Sequence, residues 1–347
     1  MNYLQQKIHR LLHWEYWPYA AVYYPILPIW LYYSLKARSL FFFNAANPTI
    51  KNGGMAMESK KEIYDLIPAK FIPKTILAGS NECIEVIFKR TLDAGISFPM
   101  IAKPDIGMKG LGVSEIQDVQ QLADYQKKID KDFLLQELIT YPNEIGIFYV
   151  RIPGEKIGKI TGIVSKVFLT VTGNGKDTIV DLIKQKPRSS FQLPGLKRTY
   201  GDYLNTVLPP GEKFILVPFG SHTRGSMFLD ATAMLNGKLL QTMDKVCNEV
   251  PGFYFGRLDI RFTTYEELSE GKNFSIIEIN GAGSEPTHMY DPAHSIFFGW
   301  KEIVRHWKLL YQISLANNKK GHPYLSYSAG IEMVRANIVL EAELRML

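Results

Sequence analysis

Apolar and polar positions set out most of the elements before any chemistry is considered. Phe98-Pro-Met-Ile-Ala102 is an apolar run that closes on Lys103 and opens into Gly107, Gly110 and Gly112. It predicts a buried strand followed by a glycine-rich loop. Phe255–Phe262 and Ser275–Asn280 alternate apolar and polar residues, so each predicts a strand, and the two are expected to be adjacent. Near-helical spacing of Ile84, Val86, Ile87, Thr91 and Leu92 predicts a helix over 81–92. Further helices are expected over 59–66, 119–129, 177–184, 293–315 and 329–345, and a strand over 133–139.

The start of the chain breaks this pattern. Tyr16 to Leu35 are uncharged, a length that can span a bilayer. Pro18, Pro25 and Pro28 interrupt it, and six tyrosines and two tryptophans fill it. Such rings prefer an interface to a hydrocarbon centre. A buried aromatic helical layer is therefore the first expectation, a peripheral membrane contact through 14–43 the second, and a true span the last. Asn47-Pro-Thr-Ile-Lys-Asn-Gly53-Gly54 reads as a turn-rich loop.

Composition narrows the class. A chain of 347 residues can bury a sizeable core and hold two or three subdomains. The net charge of +6 fits an anionic substrate or membrane surface, and without an arginine-rich tract or cysteine–histidine finger it does not point to nucleic acid. Cys83 and Cys247 lie far apart and read as free thiols in a reducing cytosol. The first residues lack the apolar core and cleavage site of a signal peptide.

Two clusters carry chemistry. Lys103 with its glycine loop can cradle phosphate, since glycines admit backbone N–H groups and the lysine adds charge. The loop is neither a Walker loop nor a dinucleotide fingerprint. Asp259, Glu278 and Asn280 can share one sheet face as hard oxygen ligands suited to Mg²⁺. Carboxylates about 4 Å apart would repel by roughly 4 kcal/mol at an effective dielectric near 20, so a cation or proton is expected between them.

Together the pieces resemble the ATP-grasp superfamily of carboxylate–amine ligases, from about Glu58 to Pro292. The series is Lys60 in Glu58-Ser-Lys, Lys103 with its loop, Leu135-Gln-Glu137-Leu-Ile, Glu144, Arg257, Asp259, Glu278 and Asn280, in an order like that of D-alanine–D-alanine ligases. Val171 to Ile183 and Gly220-Ser-His222-Thr-Arg224 look more like cyanophycin synthetase. The resemblance implies an α+β ATP-grasp fold, with two α/β subdomains gripping ATP after a short aromatic-rich helical N-terminal segment. The expected divisions are 1–57, a lid over 58–145, a catalytic subdomain over 146–325 and a C-terminal helix over 326–347. In the resemblance an α/β domain normally stands before the lid, whereas the segment preceding it here is short and aromatic and shows no βαβ pattern.

The resemblance also assigns roles. Lys60 and Lys103 would neutralise phosphate charge, and Gly107, Gly110 and Gly112 would fold over the phosphates. Glu137 with the Leu138, Ile139 and Thr140 backbone would meet adenine, and Glu144 the ribose. Asp259, Glu278 and Asn280 would hold Mg²⁺ (or Mn²⁺). Arg257 would stabilise the tetrahedral oxyanion and Arg224 the γ- or acyl-phosphate, with His222 nearby. Gly281–Gly283 could offer N–H groups to the oxyanion, and Glu285 and His288 could meet substrate. The implied reaction joins a small carboxylate to a small amine through an acyl-phosphate, releasing ADP and phosphate, in the cytoplasm or at a membrane. A nucleotide-binding module with little catalysis, or an ATP-dependent phosphotransferase, is the alternative.

Overall fold

The computed structural model describes residues 3–346. The aromatic stretch folds as short helices: α1 (Tyr3–Leu12), α2 (Tyr19–Tyr23) and α3 (Leu27–Ala37). Pro18 stands directly before α2 and Pro28 lies in the first turn of α3, positions where a missing N–H costs no helical bond. One side of this layer is core. Trp14, Val22, Tyr23 and Ile26 pack with Met289 and Ile303, and Phe41, Phe42 and Phe43 pack with Leu310 and Ile313. No helix among the described residues is long and apolar enough to cross a membrane.

Helix α4 (Lys60–Leu66) starts at Ser59, whose hydroxyl accepts from the Glu62 N–H. The lid follows as β1 (Thr75–Ala78), α5 (Ile84–Asp93), β2 (Met100–Pro104), β3 (Ser114–Ile116), α6 (Val119–Ile129) and β4 (Phe133–Glu137). Its antiparallel sheet runs β1-β4-β2-β3, and Ile87, Leu122, Tyr125 and Ile129 pack on it. Strand β4 stops at Glu137 rather than Ile139, because β1 offers no partner beyond Thr75 except the Lys74 carbonyl.

The larger half contains β5 (Asn143–Val150), β6 (Lys159–Val167), β7 (Leu169–Thr172), α7 (Ile179–Gln185), α8 (Pro187–Ser190), α9 (Leu193–Tyr200), β8 (Lys213–Val217), β9 (Met227–Asp230), α10 (Gly237–Asn248), β10 (Phe255–Phe262), α11 (Tyr265–Ser269) and β11 (Phe274–Asn280). Its main sheet is antiparallel, ordered β11-β10-β5-β6-β9. Leu258, Ile260 and Phe262 pack with Leu239, Met243 and Val246 of α10 beneath it. Ile63 and Tyr64 of α4, with Ile67 just after it, join that core, so the first helix of the expected lid packs with the larger half. Strands β7 and β8 pair apart from the main sheet and, with α7 and α9, enclose a core of their own that includes Ile179, Ile183, Leu196 and Leu216.

Two long helices finish the chain, α12 (Ile296–Lys319) and α13 (Tyr327–Met346). Helix α13 spans the two halves. Met333 packs with Phe41 and Phe42, whereas Leu340 and Leu344 enter the lid core. Lys109 and Lys131 of the lid pair with Glu341 and Glu343 at 2.7 and 2.8 Å.

Candidate active site

Period-two alternation on β10 sends Leu258 and Ile260 into the core and Arg257, Asp259 and Arg261 to the opposite face. In the ladder Asp259 lies opposite Glu278, and Arg257 opposite Asn280. A bulge then leaves Ile277 as an extra residue of β11, and the Ile277 carbonyl accepts from the Tyr64 hydroxyl. Bulges aim groups out of a ladder in this way.

Asp259 is 4% exposed and already holds two cations. Its Oδ1 lies 2.9 Å from Arg257 Nε and 3.0 Å from Lys166 Nζ. Burial pushes its carboxyl up, but Arg257 and Lys166 outweigh that and hold it below the ordinary range. Asp259 thus has cations of the protein's own beside it. Gly146 faces Asp259 across β5; a Cβ there would meet Val164 at 2.7 Å and Asp259 Oδ1 at 3.1 Å.

Lys166 also meets Glu144 Oε1 at 2.8 Å, while Glu144 Oε2 lies 3.2 Å from Arg261 Nε in an ion pair and accepts from the Gly220 N–H at 3.1 Å. Both oxygens of Glu144, the residue expected at ribose, are engaged inside the protein. Glu278 differs: it makes no hydrogen bond or ion pair among the described residues. Asn280 Nδ2 is buried without a hydrogen-bond partner among the described residues.

The lid lysines meet this face. Lys103 Nζ donates to the Tyr64 hydroxyl at 2.7 Å, Gln136 Oε1 at 2.9 Å and the Ile277 carbonyl at 3.4 Å. Burial pulls its pKa down to about 8, against the pull of Glu278. Lys60 Nζ donates to the Gly107 carbonyl at 2.8 Å and so holds the glycine loop. Burial lowers its pKa too, with Glu278 opposing and Lys103 adding to the drop. Lys103, Lys60 and Glu278 therefore share one cleft between lid and main sheet. Five cations (Lys60, Lys103, Lys166, Arg257 and Arg261) gather there with Glu144, Asp259 and Glu278, and Glu58, Asp105 and Glu285 act on Lys60 and Arg257 from beside them.

Other expected groups sit as follows. Gly110 and Gly112 have φ of +69° and +72°. A Cβ on Gly110 would meet nothing within 4 Å, whereas Gly112 lies close against Pro104. The Glu137 carboxylate accepts from the Lys74 N–H at 3.3 Å, and the N–H groups of Leu138, Ile139 and Thr140 donate to no backbone carbonyl among the described residues. Arg224 stands 5.4 Å from the Phe219 ring centre with no carboxylate partner among the described residues, and burial draws its pKa down. His222 meets the buried Glu15 at 2.9 Å, and His288 is buried against Glu302 of α12 at 3.1 Å.

The Gly281–Gly283 turn is not free for an oxyanion. The Ala282 and Gly283 N–H groups donate to the Gly53 and Gly54 carbonyls, both at 2.9 Å. Glu285 lies beside Arg257, whose Nη1 donates to its carbonyl at 3.4 Å. The hydroxyls of Tyr23 and Tyr290 donate to its two carboxylate oxygens.

Several members of the site were not singled out from the sequence. Lys166 ends the apolar run Gly162-Ile-Val-Ser-Lys166, the same signal that marks Lys103. Arg261 shares the alternation of Arg257 and Asp259. Glu58, quoted only as part of a motif, has a buried Oε2 without a partner; burial raises its pKa, and Lys60 and Glu278 act on it. Tyr64 and Gln136, which position the Lys103 ammonium, carry no local signal.

No family model matches the chain. Among curated proteins it is similar to the glutathione biosynthesis bifunctional protein GshAB of Streptococcus thermophilus, 24% identical over 272 residues, or 70% of this chain and 35% of that protein. The protein of the same name from Clostridium perfringens is 23% identical over 203 residues, 52% of this chain and 25% of that one. The chain spans about a third of the length of the first of these relatives. Among solved structures it is similar to D-alanine–D-alanine ligase from Bacillus anthracis, with 13% identity, a TM-score of 0.45 and coverage of 78% of this chain and 70% of that one. A bifunctional glutathione synthetase from Pasteurella multocida has 14% identity, a TM-score of 0.38 and coverage of 76% and 38%.

Proposed function

We propose that the chain is an ATP-grasp ligase that uses ATP and Mg²⁺ to join a small carboxylate to a small amine through an acyl-phosphate, releasing ADP and phosphate. One observation carries the reading. The lid cation Lys103 sits at the β11 bulge, one residue from Glu278, and Glu278 faces Asp259 across the β10–β11 pair. A cleft in which Lys60 and Lys103 make no ion pair among the described residues and the Glu278 carboxylate is open suits a polyanion that brings its own metal. The curated relatives, named for glutathione biosynthesis, support a reaction of this class.

The donor set fits Mg²⁺, which takes one or two carboxylates, keeps waters and binds phosphates. Glu278 would hold it, with Asn280 beside it and Asp259 behind, the last shared with Lys166 and Arg257. The ion would neutralise charge between the β- and γ-phosphates. Lys103 and Lys60 would hold the phosphate oxygens, and the Gly107–Gly112 loop would cover them and exclude water from a labile acyl-phosphate. Arg257, fixed by Asp259 through Nε and Nη2, keeps Nη1 towards Glu285 and the substrate end, where charge develops on the attacked carbonyl. Arg224 supplies a further cation for the transferred phosphoryl group.

The test is ADP release measured against a matrix of carboxylates and amines, with hydroxylamine as a trap. A hydroxamate formed with carboxylate and ATP supports the reading. AMP as the product, or MgATP binding with no release across the matrix, refutes it, the latter in favour of a binding module. ADP release without hydroxamate indicates phosphoryl transfer to another acceptor.

A further inference from the structure

The outer side of α3 is apolar and open. Leu27, Leu31 and Leu35 are 41%, 44% and 79% exposed, and their spacing places them in one stripe along the helix. Tyr24 and Tyr32 are exposed as well. A groove lined by Leu31, Leu35, Leu40, Phe41, Leu325 and Tyr327 carries the stripe onto the start of α13. Tyr327 also borders a second hollow that runs along α13 to Val339. Val334, Ile338 and Val339 extend the exposed apolar surface there. A continuous apolar surface of this kind usually marks a contact.

Charge selects the contact. Residues 16–57 contain no aspartate or glutamate, but they carry Lys36, Arg38 and Lys51. The one acid before them, Glu15, is buried between Arg188 and His222. Arg38 lines the groove, and Lys36 Nζ lies 4.9 Å from the Tyr32 ring centre at the end of the leucine stripe. On α13, Glu341 and Glu343 are paired with Lys109 and Lys131, and Glu332 shares the rim of the second hollow with Arg335. A second copy would set this basic face of α3 against itself. An anionic lipid surface complements all of it: acyl chains for the leucines, the headgroup zone for the tyrosines, phosphates for Lys36 and Arg38.

We propose that α3 and the start of α13 dock the protein on an anionic membrane surface. The docking lies in the interface plane, and it is independent of the reaction in the cleft. Its source is the outer side of the layer whose inner side is core.

The test is co-sedimentation of the full chain with phosphatidylcholine vesicles, with or without about 30 mol % phosphatidylglycerol, at low and high salt. Binding to the anionic vesicles is expected, at least about tenfold weaker on phosphatidylcholine alone or at about 0.5 M salt. A Leu31→Glu, Leu35→Glu double variant should bind at least about tenfold more weakly with an unchanged melting profile, since both side chains are exposed. A Lys36→Glu variant should weaken binding without altering the fold. No sedimentation with anionic vesicles overturns the proposal, as does equal binding of parent and double variant. Light scattering supplies one more outcome against it: a dimer that the double variant dissociates, without vesicle binding, would give the face to a second copy.

Discussion

Lys103→Met tests whether the cleft holds a charge that the fold itself disfavours. Burial takes the Lys103 pKa from the ordinary 10.5 to about 8. A depression of that size corresponds to about 3 kcal/mol of folding free energy, since each pKa unit is worth about 1.4 kcal/mol. Below about pH 8 both folded and unfolded chains carry the proton, and the full penalty weighs on the folded state. Between about 8 and 10.5 the unfolded chain binds the proton and the folded chain does not, so stability rises with pH. The parent chain should therefore gain about 3 kcal/mol from this group across that window, and the methionine variant none. Methionine removes the ammonium that binds the Tyr64 hydroxyl and Gln136 Oε1, a loss of about 1–3 kcal/mol that does not depend on pH. The sign at neutral pH is a near cancellation, whereas the difference in slope is not. Urea unfolding of both proteins at several pH values from about 7 to 10 reads that slope directly. Titration with a non-hydrolysable MgATP analogue gives the complement: affinity should weaken as pH rises past about 8 in the parent. It should fall about ten- to hundredfold in the variant at neutral pH. Parallel stability curves for parent and variant would refute the claim that Lys103 is buried and waiting for an anion.

Glu278→Gln should abolish ADP release while lowering unfolding free energy by only about 1 kcal/mol, because the carboxylate makes no hydrogen bond or ion pair among the described residues and supports the Lys60 and Lys103 charges only from a distance. Glu144→Gln should do the reverse: it strips charge from a carboxylate that pairs with Lys166 and Arg261, and chemical denaturation should show a loss of about 3–5 kcal/mol. A stable Glu144→Gln protein with only a raised KM for ATP would instead support Glu144 as the ribose ligand. Gly281→Ala should destabilise by about 2 kcal/mol or more by melting analysis, because its Cβ would stand 2.5 Å from the Gly53 carbonyl and 2.8 Å from Gly54 Cα.

The shared face of Asp259, Glu278 and Asn280 was legible because strand periodicity is local: two adjacent alternating runs put those three side chains together whatever the rest of the chain does. The register was not. It depends on the bulge at Ile277, which no single strand announces, and that bulge turns the Ile277 carbonyl towards Lys103. Lys103 could be picked out by the apolar run before it, yet its partners Tyr64 and Gln136 come from other elements. Glu144 illustrates the same limit. Its place in an ordered motif suggested a ligand contact, while the folded chain surrounds it with Lys166, Arg261 and the Gly220 N–H. A helix was expected over 177–184 and forms as α7 over Ile179–Gln185, but the separate core it shares with β7, α9 and β8 arises only once the chain leaves the main sheet between β6 and β9.

The aromatic segment is bound into the site more closely than its composition suggests. Asn47 is fully buried, and its side chain donates to the Phe255 and Gly53 carbonyls and accepts from the Tyr254 and Phe255 N–H groups. One amide thus fixes the entry of β10, two residues before Arg257. The same loop reaches the exit of β11, where Gly53 and Gly54 accept from Ala282 and Gly283. That pairing needs backbones in contact, and a side chain on Gly54 or Gly281 would stand 2.8 Å or less from the opposite chain. Further along, Tyr23 donates to the Glu285 carboxylate beside Arg257. Both strands bearing the candidate metal ligands are therefore clamped, β10 at its entry and β11 at its exit, by residues 23–54. A change that loosens the aromatic layer from α12 should disturb Arg257 and Asn280 before it disturbs Lys103. Lys103 is held from the lid and α4 instead.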